Sequence, residues 1–288
     1  YDKYIDKYIF LSECYKEMHA AKHNYFQQKG TVLYNFTRMK SSAVAHRGDY
    51  LLYYGRITEE KGLRTLMRVM EMLPDVRLRV VGTGVLSDEL RNMRLPNVAF
   101  AGFKSGEDLV HEIENASYVI LPSEWEENNP LTIIESYMCG KPVVASRKGG
   151  IPEIVSEGET GFMFEPSNVE NMCAVLCRAL SVNNDEYMRM SEKSYIFAKQ
   201  HFSEDVYYER LMKIYNEARY YFDRIIDEYQ SSKYAQYALV GIAKNLAKNG
   251  DKKRLEALYA QAYEESKDLD TASYVIYNWG NFELENED

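Results

Sequence analysis

Between Leu121 and Ala145 the chain reads LPSEWEENNPLTIIESYMCGKPVVA, and two of its carboxylates, Glu127 and Glu135, stand eight residues apart. An ionised carboxylate only accepts hydrogen bonds, so a pair of them suits the hydroxyls of a sugar. Asn128, Asn129 and Pro130 open a helix-spaced apolar run, Leu131–Met138, with Gly140 just past its end. Proline at the first position and glycine after the last is the usual asymmetry of helix termini. The first N–H groups of such a helix lack internal partners and, with the helix dipole, hold anions. One loop therefore offers an acidic acceptor at Glu127, a phosphate cradle over Asn129, Pro130, Leu131 and Thr132, and a second acceptor at Glu135. That is the equipment for a ligand made of sugar, diphosphate and ribose. Alone, the spacing equally suits a solvated helix face, and a second group has to decide between the two.

That group follows the apolar run Tyr50–Tyr54 (YLLYY), where Gly55-Arg56 and Lys61-Gly62 lead into the next helical pattern. Two cations at the end of a strand can neutralise a diphosphate without a metal. Singly, Arg56 and Lys61 read as ordinary surface charges. Together with the glutamate loop they read as a binding site.

These loops need a scaffold that brings them together, and residues 50–160 supply one. Short apolar runs at Tyr50–Tyr54, Val76–Val81, Val98–Phe100, Tyr118–Leu121 and Val143–Ser146 read as strands. They alternate with helix-spaced segments at Lys61–Leu73, Asp88–Met93, Glu107–Asn115 and Leu131–Met138. Such alternation predicts an α/β fold, a Rossmann-like parallel sheet with flanking helices. Its ligand crevice lies at the carboxyl ends of the strands, where both loops fall. Upstream, Tyr8–Leu11 reads as a strand, Glu13–Gln28 as one helix and Thr31–Leu33 as a second strand. After about 165 the strand signals stop, and Val169–Leu180, Asp185–Gln200 and Glu204–Tyr229 read as helices. Tyr237–Asn249, Asp251–Ser266 and Thr271–Glu283 predict three more. Leu239, Ala243, Leu246, Gly250, Tyr259 and Ala262 fall there in the register of a tetratricopeptide-like repeat, against the plainer reading of an antiparallel bundle.

Composition narrows the function classes. The chain has 288 residues and a net charge of −9, which argues against a sequence-independent nucleic-acid binder. No apolar run approaches the ~20 residues of a membrane span. The first residues, YDKYIDKYIF, lack both Met and a signal-peptide pattern, so the expectation is a fragment or processed product of a cytoplasmic protein. Four scattered cysteines read as reduced thiols.

With those residues in place, 50–165 closely resembles the donor-binding, C-terminal half of family-4 retaining glycosyltransferases with the GT-B fold. The segments that carry the resemblance are YLLYYGRITEEKG (50–62), VVGTG (80–84), VAFAGF (98–103), YVILPSEWEENNPLTIIESYMCGKPVVAS (118–146) and GGIPEIVSEGETGFMF (149–164). The family's two-glutamate motif falls on Glu127 and Glu135, and its Gly-Arg and Lys-Gly pairs fall on Gly55-Arg56 and Lys61-Gly62. The resemblance implies that Arg56 and Lys61 bind the diphosphate, Glu127 the donor sugar and Glu135 the ribose. It places the phosphate end at the amides of Asn129 to Thr132, and Phe103-Lys104 near the base. The implied reaction is retaining glycosyl transfer from a nucleotide diphosphate sugar, with no cofactor and no obligatory metal.

The same resemblance reaches further along the chain. DKYIFLSECYKEM (6–18) is similar to the last strand and helix of the family's first domain, and GTVLYNFTR (30–38) to its linker. Glu204–Ala218 is similar to the final helix that packs back on that domain. The expected division is a first-domain remnant and linker at 1–38, a nucleotide-sugar-binding domain at 39–218 and a helical-repeat module at 219–288. Most of the first domain, with the acceptor site, lies outside this sequence, so the expectation is a donor-binding half incomplete for catalysis alone. A second reading, from another class, is a scaffold or fusion whose residues 219–288 dock a protein or peptide partner.

Other signals carry less. Gly82-Thr83-Gly84 follows a strand but lacks the third glycine of a dinucleotide fingerprint and reads as a turn bordering the site. Cys14, His19 and His23 share a helix without a fourth ligand, so no metal is expected. Cys173 and Cys177 read as small buried hydrophobes, and Asp268-Leu269-Asp270 as a turn.

Overall fold

The computed structural model describes residues 5, 7–39, 46–215, 257, 259, 260, 263 and 264. Compact packing divides the chain into two units, Tyr1–Arg210 and Leu211–Asp288. Almost all of the predicted repeat module lies outside the described residues; of its expected core, Tyr259 is described and is buried.

The first unit holds a six-stranded sheet and a separate two-stranded one. The small sheet pairs β1 (Tyr8–Phe10) in parallel with β2 (Gly30–Val32), joined through α1 (Glu13–Ala20) and α2 (Asn24–Lys29). The single helix expected over Glu13–Gln28 is thus broken at residues 21–23. The break lets Phe26 turn onto the strand, where its ring meets Tyr8 edge-on at 4.8 Å and Phe10 at 5.5 Å. Helix propensity alone does not carry that tertiary contact.

The large sheet runs β3 (Tyr50–Tyr54), β4 (Leu78–Val81), β5 (Val98–Gly102), β6 (Ala116–Leu121), β7 (Val143–Ser146) and β8 (Gly161–Phe164). Every pairing is parallel, in the order β5-β4-β3-β6-β7-β8. Strands β3 to β7 fall where the apolar runs predict them, with ends displaced by up to two residues. Strand β8 was not expected. GFMF is short and begins with glycine, and its strand character comes from pairing with β7, Val143 opposite Gly161.

Between the strands lie α3 (Leu63–Met72), α4 (Ser87–Asn92), α5 (Gly106–Glu114), α6 (Leu131–Met138) and the short α7 (Ile151–Ile154). Helices α8 (Val169–Ser181) and α9 (Asn184–His201) follow, with a further helix over 204–215. Helix α3 starts later than predicted, because Glu59–Lys61 forms a 3-10 turn and Gly62 takes a left-handed φ of 68° before it.

Period-2 alternation sorts the strand residues between two cores. Leu51, Tyr53, Val80, Tyr118, Ile120 and Val144 face α3 and α8. Leu52, Tyr54, Val81, Val119, Leu121 and Val143 face α5, α6 and the end of α9. Burial on both faces explains why β6 (ASYVIL) is covered along its whole length.

One buried cation stands apart from these cores. Lys141, between α6 and β7, is 1% exposed and donates from Nζ to the His46 carbonyl at 2.6 Å. Burial pulls its ammonium down from 10.5 to about 8, with Cys139 and Glu114 pulling the other way. Between those values the unfolded chain holds a proton that the folded chain has released. Stability from this group therefore rises with pH above about 8, by up to ~1.4 kcal/mol per unit. Lys141→Met is expected to remove that rise, read as urea midpoints of both proteins between about pH 8 and 10. Equal slopes in the two proteins would show that Lys141 is not the group responsible.

Candidate active site

Strand order fixes where a ligand can sit. From β3 the chain winds outward through β4 to β5, and from β6 it winds the opposite way through β7 to β8. The reversal lies between β3 and β6, and the crevice beyond their carboxyl ends is the ligand position of such sheets. The loop carrying Arg56 and Lys61 leaves β3, and the loop carrying Glu127 leaves β6.

Close backbone contacts hold these loops together. A Cβ on Gly62 would lie 1.9 Å from the Pro122 carbonyl oxygen, so only glycine fits. The Glu124 amide donates to the Glu60 carbonyl (2.9 Å), and Thr65 Oγ1 donates to Glu124 Oε1 (2.5 Å). Gly82, read from the sequence as part of a turn, packs its Cα side against the Gly55 carbonyl, 1.9 Å from an added Cβ.

Across this seam Lys61 Nζ meets Glu127 Oε1 at 2.5 Å, with side chains only 20% and 14% exposed. Ser123 Oγ donates to the same oxygen at 2.5 Å. Ser123 was missed in the sequence; its only signal is its place four residues before Glu127, at the start of the loop. Arg56 shares Lys61's loop but lies exposed at 73%, with Nη2 3.5 Å from Glu60 Oε1 and not on the carboxylates of the motif. The Tyr53 hydroxyl donates to the Arg56 carbonyl at 2.5 Å. Burial, then the Glu127 and Glu60 charges, hold Tyr53 above the usual phenol range.

The start of α6 suits an anion. Pro130 is its cap residue rather than its first helical residue, no side chain caps it, and no acidic residue lies in its first turn. Leu131 is exposed, while the Thr132 carbonyl accepts from the Tyr54 hydroxyl at 2.7 Å. Glu135 is half-buried; burial raises its carboxyl above the usual range, with the Tyr54 hydroxyl pulling the other way.

Asn128 and Asn129 turn their side chains to the N-terminal segment. Ser12 Oγ donates to Asn128 Oδ1 at 2.6 Å. The Asn35 amide donates to Asn129 Oδ1 at 2.7 Å, and Asn35 Nδ2 donates to the Asn129 carbonyl at 2.8 Å. Glu153 accepts from the amides of Glu13 (2.8 Å) and Cys14 (2.6 Å) and from the Tyr34 hydroxyl (3.0 Å). Thus Ser12 and Asn35 brace the loop between the two carboxylates, a contact that the sequence did not reveal. Phe103 (71% exposed) and Lys104 follow β5, which β4 separates from β3, so they stand aside from the paired residues.

His19 and His23 pack their rings on Phe26, at 5.4 and 6.1 Å. Among the described residues no group of three or more His, Cys, Asp or Glu is placed to hold a metal. Nor is any described helix long and apolar enough to cross a membrane. The cysteines of α8 depart from expectation: Cys173 is half-buried and Cys177 exposed, since the i+4 position has rotated off the packed face.

Comparison with known proteins agrees with the fold. Residues 36–197 match the family described as Glycosyl transferases group 1. A sulfoquinovosyl transferase of Arabidopsis thaliana is 37% identical over 135 residues, 45% of this chain and 26% of that protein. An uncharacterized glycosyltransferase of Methanocaldococcus jannaschii is 26% identical over 219 residues, 74% of this chain and 60% of that protein. An Anabaena protein solved in complex with UDP superposes with a TM-score of 0.65 at 20% identity, covering 75% of this chain and 65% of that one. This chain therefore spans from about a quarter to less than two thirds of the length of these relatives.

Proposed function

The chain belongs to the glycosyl transferases of group 1, and on that premise we propose that residues 39–218 bind a nucleotide diphosphate sugar and present it for retaining transfer of its glycosyl group, in the manner of the family-4 enzymes. The observation that carries this reading is the meeting of Lys61 with Glu127 at the reversal point of the sheet, beside the uncapped start of α6.

In this reading Lys61 and Arg56 bind the diphosphate, joined by the backbone N–H groups of Asn129, Leu131 and Thr132, since Pro130 between them has none. Glu127 accepts from hydroxyls of the donor sugar and Glu135 from the ribose, while Phe103-Lys104 borders the base. The diphosphate leaves as the glycosyl bond breaks, and its growing negative charge is met by fixed cations and helix amides, which is electrostatic catalysis. The cations take the place that a metal would fill, and no cofactor enters the scheme. UDP is the first nucleotide to try, because the Anabaena protein of like fold was solved with it.

Calorimetric titration with uridine, guanosine and adenosine diphosphates tests the proposal. At least one should bind, and failure of all three at millimolar concentration would overturn it. Glu135→Ala then separates ribose from phosphate. Losing a hydrogen bond to a charged group costs about 1.5 kcal/mol or more, so affinity for the bound nucleotide should drop roughly tenfold. Affinity for inorganic pyrophosphate, which has no ribose, should stay unchanged. Equal losses for both ligands would remove Glu135 from its role.

A further inference from the structure

Glu127 divides its two oxygens. Oε1 takes both Lys61 Nζ and Ser123 Oγ, while among the described residues Oε2 has no hydrogen-bond partner. The ion pair is largely withdrawn from solvent, so salt and water screen its charges weakly. Among the described residues it is also the ion pair that joins the β3 loop to the β6 loop; Arg56 pairs within its own loop, and Lys148 pairs with Glu126 from β7.

Resting on the donor-site reading above, we propose that Glu127 acts against the sugar-free nucleoside diphosphate, so that its contact with Lys61 discriminates donor from product. A diphosphate that takes Lys61 must share its ammonium with the Glu127 carboxylate, and two like charges then compete for one cation. A donor sugar eases that conflict, because a hydroxyl donating to Oε2 draws off part of the carboxylate's charge. Once the glycosyl group has passed to an acceptor, no hydroxyl remains on Oε2. The diphosphate then meets the full negative charge, and Glu127 draws Lys61 back. The same carboxylate that recognises the sugar therefore weakens retention of the product. Like charge placed against a ligand is a means of selectivity distinct from added attraction.

The test is calorimetry with UDP, UDP-glucose and inorganic pyrophosphate on the wild type, Glu127→Gln and Ser123→Ala, with thermal melts to check folding. Glutamine keeps an oxygen for Lys61 and Ser123 but removes the charge. Glu127→Gln should bind UDP and pyrophosphate roughly three- to tenfold more tightly, while UDP-glucose gains nothing or loses affinity. Ser123→Ala, which loosens the same oxygen but keeps the charge, should not tighten UDP. Unchanged or weaker UDP binding by Glu127→Gln, or equal tightening by Ser123→Ala, would overturn the inference and leave the donor site standing. If the wild type binds none of the uridine, guanosine and adenosine diphosphates, the donor-site reading itself falls.

Discussion

Lys61→Ala is expected to lower affinity for a nucleoside diphosphate by about a hundredfold, the largest loss from any one side chain of the site. Two effects act in the same direction. A charge-assisted bond to phosphate is lost, which costs about 1.5–3 kcal/mol. The Glu127 carboxylate, 14% exposed, also loses the cation that balances it and is left facing the incoming phosphates. Together these come to roughly 3 kcal/mol, two factors of ten. Arg56→Ala removes a cation of the same sign, but one 73% exposed and 3.5 Å from Glu60, so its loss should stay near tenfold. The order of the two, invisible in the sequence, is set by burial. Adding Glu127→Gln to Lys61→Ala should recover part of the affinity, because the uncompensated charge is then gone. Titration calorimetry on the three proteins checks this, and a Lys61→Ala affinity within threefold of wild type would contradict the site.

The second large effect concerns Gly62, where one residue holds two loops in contact. An alanine there meets a left-handed φ of 68°, which costs about 1–2 kcal/mol for an L side chain. Its Cβ would also fall 1.9 Å from the Pro122 oxygen, and relieving that overlap by moving backbone costs a further 1–3 kcal/mol. A loss of about 3 kcal/mol in a domain of this size corresponds to a melting point lower by roughly 6–12 °C. Gly158→Ala is the matched control. Its φ is 73°, but nothing lies within 4 Å of the added atom, so it should show the backbone cost alone. Scanning calorimetry of both variants separates the terms. UDP affinity should fall with Gly62→Ala and not with Gly158→Ala, since only the former pushes Lys61 away from Glu127. Equal melting points for the two variants would mean that the contact with Pro122 yields without cost.

How much of this was legible beforehand differs from element to element. Strands β3, β6 and β7 were readable because they are buried on both faces and so carry short, nearly continuous apolar runs. Helix α6 was readable because Pro130, the apolar spacing and Gly140 are all local signals. Strand β8 and the break between α1 and α2 were not, since each depends on a partner far along the chain. For β8 the partner is β7; for the break it is the ring cluster of Tyr8, Phe10 and Phe26.

The site divides along the same line. The chain's own residues determined the chemistry on offer: carboxylates at Glu127 and Glu135, cations at Arg56 and Lys61, and an open helix start between them. They also determined the α/β class, since periodicity and termini are written within a dozen neighbouring positions. Tertiary structure decided which of these groups meet. Strand order set the β3 and β6 loops side by side, and Gly62 against Pro122 closed the gap, so Lys61 and not Arg56 reached Glu127. It also brought Ser12 and Asn35 onto Asn128 and Asn129, across more than ninety residues of chain. The physical reason is that hydrophobic period and capping are properties of one segment. An ion pair between two loops depends on the order and register of strands that those segments do not specify alone.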